Sequence, residues 1–543
     1  MSGRTIAKAV TNSCVRRRRR PAISRRQGFF SSTIHRDIHT RSKRNADLNN
    51  SNSNDGIGTI EGVFLFHRHG DRTPARRLVA DTYAIEETLY WQTKVPPGSS
   101  LYDSLSQLYP TDIHLSNNDG SFFDTRREPY GFLTWRGMEQ MRLVGHRCAV
   151  RYATYGHQAS KTVDANASTD DDGAIETRKT IGRSFLRYWN IEAYSTCYLR
   201  TVKSVQCFLH GLLGDDDQRS YEDYIGCENK QRTLRETIAE EAKRERPTSR
   251  PGEDLVGVEV RDRTIDTLNA FDRNPDLMKS LVTEVVDTDH FQKYDDQYGS
   301  SLARQLCDLL PGLLAPNQRR LFGGPSGINW IHAADHYVCR LSHGLNYARF
   351  SDMEHDGKVE AALRKLFRPT ITHLAWRFRQ WYKSPPLLAA IAAPPLREIE
   401  GQIRNAVEMD ADDRRPFVVY SCHDVTILSL LYGLGADFLE DDNGEGWKFW
   451  PSYATTLVIE LVRVKEGKGD PDDTHVLRLV LNDEPVSVVA LRDKADKDQV
   501  LRISDFAAII DRLEEAGGWG PNGRLADDPA CASVTRDMSG WTG

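Results

Sequence analysis

The sequence has no apolar run approaching the roughly 20 residues that a membrane-spanning helix needs. Its longest apolar stretches, such as Val63 to Phe66 and Leu428 to Tyr432, are the length of buried strands or helix faces, so no transmembrane segment is expected. It has no C-x-x-C pair. The nine cysteines, from Cys14 to Cys531, are scattered and odd in number, which argues against a disulfide framework or a zinc site and for reduced, mostly buried thiols. No H-E-x-x-H or comparable metal-ligand spacing occurs, so neither a metal nor another cofactor is expected. The N-terminal region lacks the apolar core of a secretory signal, which leaves the sequon Asn166-Ala167-Ser168 without an expected use. No internal repeat is present.

Acid is nearly absent from residues 1–44, which hold thirteen Lys or Arg against Asp37 alone. Rich in Arg, Ser and Thr, this leader reads as a mitochondrial transit peptide, although Arg16 to Pro21 also fits a nuclear signal and a plain basic tail would be cytoplasmic. The remaining residues carry 59 basic and 76 acidic side chains, a balance of −17. An acidic body argues against nucleic acid as a partner, because that binding rests on neutralising phosphates. An anionic small molecule would need a local basic cluster instead. Oligomeric state leaves no mark in the sequence.

With 39% hydrophobic and 27% charged residues over 543 positions, the chain can bury a large core. Residues 45–56 form a polar linker, and the fold is expected to start near Ile57. The stretch around Gln158 to Thr177 reads as an exposed inserted loop, 215–260 as a charged, solvated segment, and residues after about 516 as a tail. Thr456–Val464 and His475–Leu481, with a Gly/Pro/Asp loop between them, predict a β-hairpin. Alternating strand and helix patterns predict an α/β fold with a central, mostly parallel sheet flanked by helices.

Three segments share one design, an apolar strand followed by a polar turn and a helix. Gly62 to Phe66 leads into His67-Arg68-His69-Gly70-Asp71-Arg72, Ile191 to Thr196 leads into Cys197 to Thr201, and Phe417 to Ser421 leads into Cys422-His423-Asp424. The second helix is expected to end at Gly214, the third at Gly433 or Gly435, and the first is the least defined. Ligands of open α/β sheets bind beyond the carboxyl ends of the strands, where helix N-termini present free N–H groups. Arg68, His69, Arg72, Arg200, His423 and Asp424 are therefore expected to share one crevice.

Those residue types suit a phosphate monoester. Arginine offers a planar fork of donors and a fixed charge, which Arg68, Arg72 and Arg200 would place on the non-bridging oxygens. Flanking positive charge would keep His69 neutral and nucleophilic, so that it attacks phosphorus and forms a phosphohistidine. Asp424 would protonate the leaving oxygen and then activate water, while His423 adds a hydrogen bond to the phosphoryl group. Gly70 would give the phosphate room to approach. His67 reads as structural. Taken singly, each feature has a plainer explanation, such as Asp424 as a helix cap. Their joint pattern is what points to a site.

Arg68-His69-Gly70-Asp71-Arg72-Thr73-Pro74 resembles the R-H-G-x-R-x-P signature of the histidine acid phosphatases, the two-motif branch of the histidine phosphatase superfamily. His423-Asp424 resembles their second signature. Gly131 to Gln140 is similar to the family's G-x-L-T-x-x-G-M-x-Q segment, Ser195 to Thr201 to its S-T-x-x-x-R-T segment, and Trp450 to Ala454 to its P-x-Y-A turn. The family usually has Arg before the S-T pair, where this chain has Tyr194. The resemblance implies a phosphatase domain over 57–515 with a mainly helical cap inserted at about 215–400. It implies His69 as nucleophile, Asp424 as proton donor, and Arg68, Arg72, Arg200 and His423 as phosphate ligands. Leader and motif context are most similar to the mitochondrial lysophosphatidic acid phosphatase type, which implies a small or lysophospholipid phosphomonoester as substrate. An inositol polyphosphate phosphatase or phytase, and an inactive relative that binds a phosphorylated ligand, share the same signatures.

Overall fold

A computed structural model describes residues 58–531 apart from 80–82, 97–98, 114–127, 161–184, 215–255, 315–326, 347–356, 411–412, 441–445, 465–470, 490–499 and 521. The leader, the linker, the sequon, most of the polar insert, most of the charged segment after 215 and the last twelve residues lie outside the described residues.

The described strands form one nine-stranded sheet in the order β2-β4-β3-β5-β1-β6-β7-β8, with β9 also on β7. These are β1 Thr59–Arg68, β2 Thr111–Ile113, β3 Trp189–Ser195, β4 Val258–Val260, β5 Arg415–Cys422, β6 Thr456–Arg463, β7 His475–Leu481, β8 Glu484–Pro485 and β9 Val500–Arg502. From β2 to β1 every pair is parallel, and from β1 onward every pair is antiparallel. The fold is therefore mixed α/β. The β6–β7 hairpin pairs Arg463 with His475. Strand β4 lies in the sheet although its residues fall within the span expected to form the cap.

The main helices are α1 Ala84–Gln92, α2 Trp135–Ser160, α3 Leu199–Leu213, α4 Pro275–Val286, α5 Ser301–Leu309, α6 Trp330–Ser342, α7 Lys358–Tyr382, α8 Pro385–Glu408, α9 Asp424–Gly433 and α10 Ile503–Gly517. Alternate residues of a strand face opposite sides of its sheet. Val63 and Leu65 of β1, with Phe417 and Val419 of β5, pack against α2 and α3. Phe64 and Phe66, with Val418 and Tyr420, join a second core that includes α8, α9, α10 and the helices of 275–382. Burial on both faces explains why these strands read as unbroken apolar runs. All seven cysteines among the described residues are free thiols, six of them buried. Among the described residues no helix is long and apolar enough to cross a membrane.

Two expected helices follow their strands. Helix α3 is capped at its end by Gly214, and α9 ends at Gly433. No helix follows β1 directly. Arg72 bridges to Leu133, Thr73 N donates to Phe132 O at 2.9 Å, and Gly131 N donates to Pro74 O at 2.9 Å. The backbone of 72–74 is committed to an extended partner, so it cannot close a helical turn.

Helices α2 and α3 touch backbone to backbone. A Cβ on Gly145 would lie 2.0 Å from Phe208 O, and one on Gly211 would lie 1.8 Å from Arg142 O. Gly145→Ala or Gly211→Ala should cost about 1–3 kcal/mol through overpacking. Gly401 of α8 faces open space, so Gly401→Ala should be neutral or stabilising by up to ~1 kcal/mol. Urea unfolding of the three variants checks this, and equal effects at all three positions would contradict the close helix contact.

Candidate active site

The register of three adjacent strands sets the site. Arg68, the last residue of β1, pairs with Cys422 at the end of β5, and Ser195 of β3 pairs with Ser421. His69, His423 and Thr196 therefore follow one another along the carboxyl edge. Helix α9 starts at Asp424 with His423 as its N-cap, and α3 starts at Leu199 with Tyr198 as its N-cap. Two helix N-termini thus end at the crevice, where their dipoles favour an anion. All six residues expected from the sequence meet here.

His69 is 2% exposed. Its Nδ1 lies 2.8 Å from Gly70 O. A carbonyl can only accept, so Nδ1 carries the proton and Nε2 keeps its lone pair. Burial, then the charges of Arg200, Arg68 and Arg72, hold its pKa well below the ordinary histidine value. His423, whose ring centre is 5.6 Å from that of His69, is depressed by the same burial and the same three guanidiniums. Its Nε2 lies 3.2 Å from Thr196 Oγ1. Burial, more than the neighbouring positive charge expected from the sequence, keeps His69 neutral.

The arginines are held differently. Arg68 Nη2 lies 2.8 Å from Asp424 Oδ2, its Nη1 donates to Pro451 O, and the Tyr453 ring lies 4.4 Å from its guanidinium carbon. Arg72 makes a two-pronged pair with Asp335, Nη2 to Oδ1 at 2.9 Å and Nη1 to Oδ2 at 3.2 Å. Burial works against the charge on Arg72, but Asp335 outweighs it and raises the pKa further. Arg200 forms no ion pair among the described residues. Burial and the charge of Arg72 bring its pKa down to about 10, so it stays cationic at neutral pH. Asp424 is not the cap of its helix. Its Oδ2 also accepts from Trp450 Nε1 at 3.2 Å.

Asp71 anchors the loop that carries His69. It is wholly buried and accepts from Thr134 Oγ1, Ser342 Oγ and His343 Nε2, the last at 2.7 Å. Burial alone would raise its pKa, but His343 and these donors lower it. Asp71 N donates to Gln140 Oε1 at 2.8 Å, and Thr134 Oγ1 accepts from Gly137 N at 3.1 Å, which caps α2. Gly70 corrects one expectation. A Cβ there would lie 2.2 Å from Gly137 O. Its small size serves contact with the start of α2, not the approach of a ligand. From the other side, Ala454 N donates to His69 O at 3.2 Å and Arg68 N donates to Thr455 O at 2.9 Å. Ala454 holds φ at +59°, an uncommon conformation for a residue with a Cβ, retained here by those two bonds.

Sequence reasoning missed Asp335, Tyr453, Tyr198 and Trp450, and assigned no role to Asp71, Thr134 or Gln140. Tyr453 and Trp450 lie in the quoted Trp450 to Ala454 turn, and Thr134 and Gln140 lie in the quoted Gly131 to Gln140 segment. Asp335 sits in α6 with no local signal. His67 stacks on Phe208 at 5.6 Å and is brought down to about 4 by burial, a structural histidine. Tyr194 stacks on Tyr420, with the Arg261 guanidinium 4.3 Å over its ring. Among the described residues no cluster of His, Cys, Asp and Glu is arranged to hold a metal ion.

Residues 59–323 match the family model of the histidine phosphatase superfamily (branch 2). Among solved structures the chain is similar to the phytase from Citrobacter braakii, at 12% identity over 84% of this chain and 98% of that one, with a TM-score of 0.43. It is similar to the Hafnia alvei phytase in complex with myo-inositol hexakis sulphate, at 12% identity over 84% and 98%, with a TM-score of 0.43. It is also similar to the Bifidobacterium longum multiple inositol polyphosphate phosphatase in complex with inositol hexasulfate, at 13% identity over 84% and 92%, with a TM-score of 0.45. Among curated proteins, none matches the chain in sequence.

The depressed histidines couple stability to pH. His67 and His332 are brought down to about 4, and His69, His423 and His336 also lie below the ordinary value near 6.5. Below 6.5 the unfolded chain binds protons that the folded chain refuses, so stability should fall as pH drops from 6.5 toward 4. Asp266, pushed up to about 7 by burial, and Glu87, also raised by burial, work in the opposite direction, but with His373 likewise depressed they are two groups against six. A urea midpoint lower at pH 5 than at pH 7 is expected. A midpoint that rises would contradict the buried, neutral state of these rings.

Proposed function

We propose that this chain is a phosphomonoester hydrolase of the histidine phosphatase superfamily and acts through a phosphohistidine on His69. The observation that carries the reading is the His69 ring itself, with Nδ1 committed to Gly70 O and Nε2 free among Arg68, Arg72 and Arg200. A neutral imidazole inside a cationic nest can attack phosphorus, whereas a protonated one cannot.

The phosphate dianion recruits the three guanidiniums and, through them, stabilises charge on the equatorial oxygens of the transferring group. These charges suffice to neutralise the substrate, so no metal is invoked. Arg68 is bound to Asp424 before substrate arrives. A phosphate that takes up Arg68 releases the Asp424 carboxylate, which takes a proton from the solution and holds it toward the leaving oxygen. Nε2 of His69 forms a bond to phosphorus as the ester P–O bond breaks, and Asp424 gives its proton to the departing alkoxide. Water then attacks phosphorus, Asp424 takes the water proton, the P–N bond breaks and phosphate leaves.

For the substrate we propose an ester with a single phosphate, such as a small or lysophospholipid phosphomonoester hydrolysed at acid pH. In support, Asp335 already balances one of the three cations, and once Asp424 is released and carries its proton, two charges remain for the dianion of one phosphoryl group. An inositol polyphosphate is a second reading, favoured by the exposed Arg263 beside Tyr198, 5.7 Å from its ring. Hydrolysis of lysophosphatidic acid and of inositol hexakisphosphate by the same preparation separates them. The first should exceed the second in kcat/KM, and the reverse order would replace the substrate proposed here.

His69→Ala should abolish turnover of an aryl phosphate and any acid-labile, base-stable phosphoenzyme. An inactive ligand-binding relative would show neither in the wild type. Asp424→Asn should slow alkyl esters by ~10²–10⁴-fold and activated aryl esters far less, because a good leaving group hardly needs the proton. Turnover should persist in chelator. Equal losses on both ester types would remove Asp424 from the proton-donor role.

A further inference from the structure

Arg68 and Arg72 each hold a carboxylate within 3 Å, whereas Arg200 does not. What faces Arg200 is an aromatic ring, with its guanidinium carbon 4.3 Å from the centre of Tyr198. We propose that Tyr198 is a positioning residue for phosphate binding, an aromatic shelf that fixes Arg200 without neutralising it. The proposal rests on the phosphoryl-transfer reading above.

The physical distinction lies between a counter-ion and a quadrupole. A carboxylate holds a guanidinium strongly but cancels its charge, and an incoming phosphate must compete with it. The face of an aromatic ring attracts the same cation while carrying no net charge. Arg200 therefore keeps its full charge for the ligand. Its Nε is buried and has no hydrogen-bond partner, so donor capacity remains for a ligand, and with a pKa lowered to about 10 the group is still cationic at neutral pH.

The ring is itself pinned. Tyr198 Oη donates to Asp272 Oδ2 at 2.9 Å, and its plane meets the His423 ring edge-on with centres 5.1 Å apart. One side chain thus braces two of the groups proposed to touch phosphate. Its position is locally unfavourable. Tyr198 is the N-cap of α3, where Ser, Thr, Asp or Asn would satisfy a free N–H, and its side chain makes no capping bond. A residue that breaks a local rule at the mouth of a site is expected to be kept for the site.

The test is binding of inorganic phosphate, with kcat and KM for an aryl phosphate, in wild type, Tyr198→Phe, Tyr198→Leu and Asp272→Ala. Tyr198→Phe keeps the shelf and should bind phosphate within about twofold of wild type. Tyr198→Leu removes the quadrupole and should weaken phosphate binding and raise KM by ~5- to 30-fold, with a smaller change in kcat. Asp272→Ala should follow Tyr198→Phe. If Tyr198→Leu binds phosphate like wild type, the shelf is dispensable and the proposal fails. If Tyr198→Phe loses as much as Tyr198→Leu, the hydroxyl rather than the ring matters and the proposal also fails, even where the leucine variant does not fold. Wild-type protein that neither binds phosphate nor hydrolyses the ester would instead overturn the functional reading beneath it.

Discussion

Like charges brought together in a buried crevice repel, and the arrangement of this site follows from that constraint. Two unit charges 4 Å apart interact by about 4 kcal/mol at an effective dielectric constant near 20. Each of the three guanidiniums around His69 has a neighbour that attracts it. Asp424 holds Arg68, Asp335 holds Arg72 and the Tyr198 ring holds Arg200. The same crowding of positive charge, added to burial, keeps both imidazoles neutral. Cation placement and histidine protonation are thus one electrostatic problem with one solution.

Stability alone does not account for these pairs. Replacing a buried ion pair with apolar residues of similar volume is often neutral or stabilising by about 1–4 kcal/mol. The fold could have closed this edge of the sheet with hydrocarbon, as it does across both sheet faces. Buried Arg–Asp pairs and the unpartnered Nε atoms of Arg68, Arg72 and Arg200 are what the proposed anion site would require.

The loop 68–74 owes its precision to neighbours on three sides. Gly70 and Gly137 let it touch the first turn of α2, Asp71 ties it to the end of α6 through Ser342 and His343, and 451–455 grip the backbone of Arg68 and His69. Both Asp71 and Arg72 reach helix α6, through Ser342 and Asp335, so the helices of 275–382 and the loop bearing His69 are set by shared contacts. The R-H-G-D-R segment consequently serves two ends at once. Arg68, His69 and Arg72 face the crevice, whereas Gly70 and Asp71 secure the backbone that aims them.

Much of this was legible in the residues. The unbroken apolar strands, the two helices that follow β3 and β5, the β6–β7 hairpin and the six residues at the strand ends come from local pattern, because strand period, helix caps and turn residues act over a few neighbours. Asp335, 263 residues from Arg72, left no such mark, and neither did the orientation of Tyr198 or the purpose of Gly70. The absence of a helix after β1 was equally hidden, since it depends on residues 131–133 claiming the backbone of 72–74. Sequence by itself determined which chemical groups would stand at the carboxyl edge of the sheet. Tertiary structure alone decided which counter-charge each would meet and how deeply it would be buried, because Coulomb and desolvation energies depend on distances between segments that the linear order does not encode.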